Sequence, residues 1–127
     1  MMAGQRWVRL DVDYFQNPKI RAVSRDARTL HLASILHAGR YLTDGQIADR
    51  SLTDVSQMAD ITSRWALRRA RELEVGGLWI RNGAGWHLHD FESMNPQAMK
   101  EIVERDRAAW RARQTRWRDR HKGDVTA

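Results

Sequence analysis

The chain contains no cysteine, which excludes disulfide bonds and cysteine-ligated zinc sites. It also lacks any run approaching the roughly 18 consecutive apolar residues that a membrane-spanning helix needs. The N-terminus has no apolar stretch of the kind that marks a secretory signal. With 127 residues there is room for about one domain. We therefore expect a small cytoplasmic protein that does not enter a membrane.

Positive charge is abundant and unevenly placed. The chain has 22 lysines and arginines against 16 aspartates and glutamates, a formal net charge of +6. Residues 105–122 hold two acidic side chains, Asp106 and Asp119, and these basic ones: Arg105, Arg107, Arg111, Arg113, Arg116, Arg118, Arg120 and Lys122. This excess of cations near the C-terminus predicts a polyanionic partner. The alternative is a solvated helix whose charges keep the protein soluble.

The first 42 residues predict a strand followed by helices. Apolar residues alternate over residues 7–13, which is typical of a half-buried strand. Asn17 and Pro18 predict a short helical turn that continues to Val23. Asp26 is the predicted cap of a longer helix ending at Gly39. Its predicted apolar stripe consists of Leu30, Ala33, Ile35, Leu36 and Ala38.

Two shorter helices are predicted in the middle of the chain. A turn at residues 43–45 and an extended segment at 46–48 come first. The next helix starts near Ser51, in a sequence that resembles a capping box, and is expected to bury Leu52, Val55, Met58 and Ala59. The following helix spans residues 63–75, with Thr62 as its cap and two glycines at its end. Its expected buried side is Ala66, Leu67, Ala70 and Leu73.

The remaining residues predict a hairpin and one long helix. Strands at 78–81 and 86–91 flank the turn 82–85, where asparagine and glycine accept the backbone angles of a tight hairpin. Pro96 opens a helix that no glycine or proline interrupts as far as His121.

This order of elements is that of a winged helix-turn-helix. The predicted fold class is mainly α with a small β-hairpin wing, an α+β protein. Residues 1–94 form the winged helix-turn-helix domain and residues 95–127 a basic C-terminal helix or tail. In such a domain the helix before the hairpin enters the major groove of DNA and the hairpin lies against the flanking backbone.

The helix 63–75 carries the first set of candidate DNA-binding residues. Arg64, Arg68 and Arg71 share one stripe, with Arg69 beside it and Ser63 at the N-terminal end. The alternative is a solvated face on which Glu72 and Glu74 pair with the arginines. Trp65 is interpreted as a core residue in preference to one that stacks on DNA.

The hairpin and the tail carry the other candidates. Arg81 and Asn82 are predicted to reach the DNA backbone or minor groove. Phosphate contacts are assigned to the tail residues Arg111, Arg113, Arg116, Arg118 and Arg120. Trp110 and Trp117 lie seven residues apart and leave three uses open: packing on the domain, forming a homodimer seam, or stacking on bases. The first two are favoured, since aromatic stripes at helical spacing usually form core.

The sequence contains no motif for catalysis or for a cofactor. His87 and His89 share a strand face, but a metal site needs further ligands of compatible geometry. Phosphate-loop and dinucleotide fingerprints are missing, as is a nucleophile motif. We expect no enzymatic activity, no cofactor and no metal.

Several short segments together carry a family resemblance. They are residues 7–13, 17–19, 42–45, 77–79, 86–91 and 113–120. These segments resemble the N-terminal winged-helix domain of actinobacterial and actinophage replication-initiation-type proteins, which are loosely related to DnaD-type primosomal proteins. The resemblance implies DNA binding in phage replication or gene control.

The resulting hypothesis is a phage- or prophage-encoded, nucleoid-associated protein of a bacterial cytoplasm. It binds duplex DNA and acts in transcription control or replication. One alternative is an adaptor that binds a host polymerase or replication factor through the winged-helix fold. Another is binding to structured RNA through the arginine-rich helix.

Overall fold

The computed structural model describes residues 6–125, without the side chains of 96–99 and 122–125. Its elements in chain order are α1 (Pro18–Arg21), α2 (Arg25–Tyr41), β1 (Gln46–Ala48), α3 (Leu52–Met58), α4 (Ser63–Val75), β2 (Trp79–Asn82), β3 (Gly85–Leu88), α5 (Phe91–Met94) and α6 (Pro96–Val125). Most of the chain is helical, and the three strands form one antiparallel sheet in the order β1-β3-β2. The prediction of a mainly helical α+β protein is confirmed.

Residues 7–13 do not form the predicted strand. Leu10 and Val12 are exposed, Val12 to 97%. The carboxylate of Asp11 accepts the N–H of Asp13 at 2.8 Å, and the Asp11 carbonyl accepts the N–H of Tyr14 at 3.0 Å. Such local hydrogen bonds compete with strand pairing and lead here into a 3-10 turn at Tyr14–Gln16.

Helix α2 differs from its prediction at both ends. Ser24, and not Asp26, caps it, because the Ser24 hydroxyl accepts the N–H of Ala27. The helix also continues past Gly39 to Tyr41, and Leu42 then adopts a left-handed conformation. Gly39 serves packing instead, since a Cβ at this position would collide with the side chain of Val8.

Helices α3 and α4 have the predicted order, and α4 has the predicted bounds. Ser51 does not form a capping box, because a 3-10 turn at Asp49–Ser51 already gives it helical angles. The end of α4 is as predicted: Gly77 has a φ of +76°, and the N–H of Leu78 returns to the carbonyl of Leu73 at 3.0 Å.

Three predicted core residues lie at the surface. Leu36 on α2, Met58 on α3 and Leu67 on α4 are each about half exposed. Each lies at the edge of a helix whose central positions, such as Val55 and Ala70, are fully buried. A broad apolar stripe predicts which side of a helix packs, but it does not predict how wide the contact is.

The sheet closes the core against α2 and α4. Ile47 pairs with Trp86 across β1 and β3, and Trp79 pairs with Leu88 across β2 and β3. The rings of Trp79 and Trp86 are both buried, with centroids 5.3 Å apart. The indole N–H of Trp79 donates to the Ser34 hydroxyl on α2 at 3.1 Å, so this polar group is satisfied inside the core.

A second buried polar pair joins the N-terminal turn to α2. The Tyr14 hydroxyl lies 2.6 Å from Nδ1 of His31, and it can donate only while that nitrogen is unprotonated. Burial lowers the pKa of His31 to about 4. Burial also raises the pKa of Tyr14 to about 12, against a small opposite effect from Arg28. The folded protein therefore requires neutral forms of both residues near pH 7.

We expect acid to destabilise the fold through His31. Its pKa is lower in the folded state than the usual 6.5, so the stability it contributes is complete above pH 6.5 and is lost as the pH falls towards 4. Between pH 7 and pH 5 the free energy of unfolding should fall by about 2 kcal/mol from this residue. Urea titrations at the two pH values measure the change. The double variant Tyr14→Phe with His31→Leu should show a clearly smaller difference, and an equal difference would contradict the assignment.

Helix α6 begins at Pro96 as predicted, and the described side chains that anchor it to the domain lie near its start. Ile102 is buried, the Arg6 guanidinium pairs with Glu101 at 3.2 Å, and the Arg105 guanidinium donates to the Leu42 carbonyl at 3.2 Å. Residues 106–121 are exposed apart from a half-buried Gln114. These 16 residues correspond to about 24 Å of helix that extends away from the domain.

Candidate nucleic-acid interface

Helix α4 buries one side and turns arginines outwards on the other. Ala66, Ala70 and Leu73 are buried against the core. Arg64, Arg68 and Arg71 are exposed, and their spacings of four and three residues place them on one face opposite that core. The structure therefore brings these three predicted residues together.

These three arginines make no hydrogen bond or ion pair with any residue in the described part of the chain. Glu72 and Glu74 do not pair with them. Glu72 binds Arg69 and Ser24, and Glu74 accepts the indole N–H of Trp86. The outward face of α4 is consequently a cluster of unneutralised guanidinium groups.

Trp65 lies beside this cluster at the protein surface. Its side chain is 38% exposed, so the interpretation as a core residue is wrong. The guanidinium carbons of Arg64 and Arg68 lie 5.5 and 5.0 Å from its ring centroid. Cation–π contacts of this kind hold the cations over the ring face. Trp65 thus limits the conformations of two of the three outward arginines before any ligand arrives.

Arg69 turns the other way and belongs to the domain's own structure. Its guanidinium donates to Glu72 at 2.8 Å and lies 3.4 Å from the Ser24 hydroxyl. Burial alone would raise the pKa of Glu72, but hydrogen bonds from the Ser24 N–H, Arg69 and the Ser24 hydroxyl, with the charge of Arg69, lower it overall. This network joins α4 to the start of α2, so the structure does not place Arg69 in the interface.

The N-terminal end of α4 is open. Thr62 precedes the helix with an extended conformation, but its side chain makes no capping hydrogen bond. Ser63 is exposed in the first turn. Backbone N–H groups at an uncapped helix start favour a phosphate oxygen, and the Ser63 hydroxyl lies where it can assist.

The hairpin residues are occupied by contacts within the domain. Arg81 pairs with Asp49, donates to the Gly85 carbonyl at 3.2 Å and lies over the Trp86 ring at 4.4 Å. The Asn82 side chain accepts the N–H groups of Ala84 and Gly85 and exchanges two hydrogen bonds with Gln46. Both side chains therefore stabilise the hairpin through contacts within the domain.

His87 lies in β3, but His89 lies in the turn that follows, because the strand ends at Leu88, before the predicted position 91. Each histidine has one acidic neighbour. His87 lies 2.7 Å from Glu92, and His89 lies 3.1 Å from Asp90. The described residues contain no group of three or more histidine, aspartate or glutamate side chains arranged to hold a metal ion.

The exposed part of α6 presents the predicted tail arginines. Arg111, Arg113, Arg116, Arg118 and Arg120 are all exposed, whereas Lys122 lies outside the described side chains. Trp110 and Trp117 are 56% and 53% exposed, so neither packs on the domain, and that interpretation is wrong. The ring of Trp117 stacks on His121 with centroids 4.2 Å apart. The projecting helix is therefore cationic and carries two accessible indoles.

Comparison with protein-family models, with curated proteins and with solved structures gave no match for this chain. None of the helices within residues 6–125 combines the length and the apolar character that a membrane crossing needs. The features of this chain that indicate a function are therefore the arginine-bearing surfaces of α4 and α6.

The sequence predicted the shared face of Arg64, Arg68 and Arg71, but it did not predict the contacts that Arg69 makes within the domain. The network of Ser24, Arg69 and Glu72 spans 45 to 48 positions of the chain between α2 and α4. The available signal was the i,i+3 spacing of Arg69 and Glu72, which favours an ion pair on a helix. That spacing could not reveal Ser24, which fixes the pair to the domain.

Proposed function

We propose that this chain is a winged helix-turn-helix protein that binds duplex DNA, with α4 in the major groove and α6 adding phosphate contacts. The element order α2, β1, α3, α4, β2, β3 and the sheet order β1-β3-β2 support this architecture. A four-residue connection separates α3 from α4, which suits a helix-turn-helix. No catalytic step, cofactor or metal is part of the proposal.

One observation carries the DNA-binding proposal: the three guanidinium groups opposite the buried face of α4 have no hydrogen-bond or ion-pair partner within the described chain. Arginine donates two hydrogen bonds to a guanine edge or pairs with phosphate, and an α-helix fits the major groove. Trp65 holds Arg64 and Arg68 in place, which reduces the entropy lost on binding.

The resemblance to actinophage replication-initiation-type proteins adds a source and a cellular role to the proposal. It favours a phage- or prophage-encoded protein in a bacterial cytoplasm that acts in transcription control or replication. These roles rest on the resemblance alone.

We expect single substitutions Arg64→Ala, Arg68→Ala and Arg71→Ala each to weaken binding by roughly 5- to 150-fold on a duplex selected from a random pool with the wild-type protein. Fluorescence anisotropy of the labelled duplex gives the affinity. Structured RNA of similar length, added as competitor, shows whether duplex DNA is preferred.

Arg69→Ala is the matched control, since it removes a neighbouring arginine of the same helix. It should leave DNA affinity within about twofold of wild type, while unfolding becomes easier by about 1–3 kcal/mol because Glu72 loses a charged partner. Wild-type affinity in all three outward variants would refute the proposed groove contact.

A protein-interaction role is a second candidate, and one apolar surface favours it. Trp7, Leu36 and Met58 are each about half exposed and line a shared groove with Arg6 and Arg40. Exposed apolar patches with a polar rim often bind proteins. If the chain is an adaptor, Leu36→Glu should abolish capture of a host polymerase or replication factor from nuclease-treated bacterial lysate, and Arg64→Ala should not.

A further inference from the structure

The exposed part of α6 presents a stripe of ring-bearing and planar side chains. Trp110, Gln114, Trp117 and His121 are spaced by four, three and four residues, which keeps them within about 60° of the helix circumference. The stacking of Trp117 on His121 holds that indole in one orientation. Half of each indole surface nevertheless remains accessible.

A second copy of the chain does not suit this stripe. In a heptad frame, the stripe places Trp110 and Trp117 at the d positions, and the a positions fall on Arg107, Gln114 and His121. A coiled-coil seam requires apolar side chains at a as well as at d. Two copies packed along this stripe would also bring like charges together.

Arginines flank the stripe on both sides. Arg107, Arg111 and Arg118 lie on one side, and Arg113, Arg116 and Arg120 on the other. The only acidic residue between positions 107 and 120 is Asp119, which lies on the opposite face of the helix. A complementary ligand must therefore combine negative charges with flat apolar faces.

A single strand of DNA has this combination, and a duplex does not. In a duplex the base faces are covered by their neighbours, so only base edges and the backbone are accessible. An unpaired strand offers both base faces and phosphates, and aromatic side chains bind it by stacking. Trp110 and Trp117 lie about 10 Å apart along the helix axis.

We propose that the stripe of α6 binds single-stranded DNA, with unpaired bases stacked on Trp110 and Trp117 and phosphates paired with the flanking arginines. This inference rests on the proposed DNA-binding function and deepens it, because it assigns the groove of paired DNA to α4 and the faces of unpaired bases to the indoles of α6, while the α6 arginines contact phosphates of either form. The protein would then bind a junction at which a duplex opens.

The test measures the affinity of the full-length protein for a labelled 12-nucleotide thymidine strand and for the selected duplex. The double variant Trp110→Ala with Trp117→Ala should bind the single strand at least 20-fold more weakly, since each stacked base contributes roughly 5-fold or more. Its affinity for the duplex should change by less than about twofold. Both indoles are exposed, so the melting temperature should stay unchanged.

Two controls distinguish base stacking from nonspecific electrostatic binding to the phosphates. Trp110→Phe with Trp117→Phe should restore most single-strand binding, whereas the leucine pair should not, because only an aromatic ring offers a π-face. An abasic strand of equal length keeps the phosphates, so the tryptophan variants should bind it as well as wild type does. Arg64→Ala with Arg68→Ala should weaken duplex binding alone.

The inference fails if wild type does not bind the thymidine strand at low salt. It also fails if the alanine pair binds that strand normally or weakens strand and duplex equally. Preference for RNA or for polyglutamate over the thymidine strand would overturn it too. If the wild-type protein binds the thymidine strand but does not bind the duplex, the proposed groove contact of α4 is refuted. The inference about α6 is not affected by that result.

Discussion

Replacing Arg111, Arg113, Arg116, Arg118 and Arg120 with glutamine is expected to lower duplex affinity on the order of 100- to 1000-fold at 0.15 M salt. Each arginine that pairs with a phosphate releases condensed counterions and adds about 0.9 to the slope of log affinity against log salt. Five lost contacts should reduce that slope by about 4 to 5 units. Anisotropy titrations at four or more salt concentrations between 0.05 and 0.3 M (about the range in which the effect is large) measure it.

The matched control replaces the same five arginines with lysine. Lysine keeps the positive charge but not the planar fork, so the salt slope should stay near that of wild type. Glutamine and lysine both have good helix propensity, and the side chains are exposed, so α6 should remain helical in both variants. An unchanged slope in the glutamine variant would show that the tail does not touch the duplex.

Gly85→Ala is expected to have the largest effect on stability, at least about 3 kcal/mol. Gly85 pairs with Ala48 on one side of β3 and with Asn82 on the other. A Cβ at Gly85 would lie 2.9 Å from the Cα of Ala48 and closer still to the carbonyl oxygen of Ile47. Both atoms belong to the backbone of β1, so the strand itself would have to move away.

Gly83→Ala is the control for that substitution. Gly83 lies in the same hairpin, and a Cβ there would meet no atom within 4 Å. Thermal unfolding should show a drop of roughly 10 °C or more for Gly85→Ala and about 2 °C or less for Gly83→Ala. Equal melting temperatures for the two variants would mean that β1 does not pair with β3 as described.

The sequence predicted well those elements whose signals are local. The end of α4 follows from Gly76 and Gly77, and the hairpin follows from Asn82, whose side chain accepts the N–H groups of Ala84 and Gly85. The start of α6 follows from Pro96. The prediction of a strand at residues 7–13 was wrong, because alternating apolar residues do not by themselves supply a partner strand. Asp11 and Asp13 favour a turn instead.

The sequence predicted which helix carries the candidate site, but not which of its arginines remain open to a ligand. Arg68 and Arg69 are adjacent and identical in type, and only the fold distinguishes them. Arg69 binds Ser24 at the start of α2 and Glu72 on its own helix, whereas Arg68 faces solvent and makes no ion pair within the described chain. In the same way, an ion pair with Asp49, which is 32 residues away in the chain, holds Arg81 against the sheet.

The sequence by itself determined the α+β class, the long cationic helix and the helix that carries the outward arginines, because periodicity, helix-terminating glycines and charge are local properties. Tertiary structure alone decided which guanidinium groups are neutralised inside the domain and which remain open. It also decided that Trp110 and Trp117 extend away from the core. Partners far apart in the chain meet only after the helices and the sheet have packed.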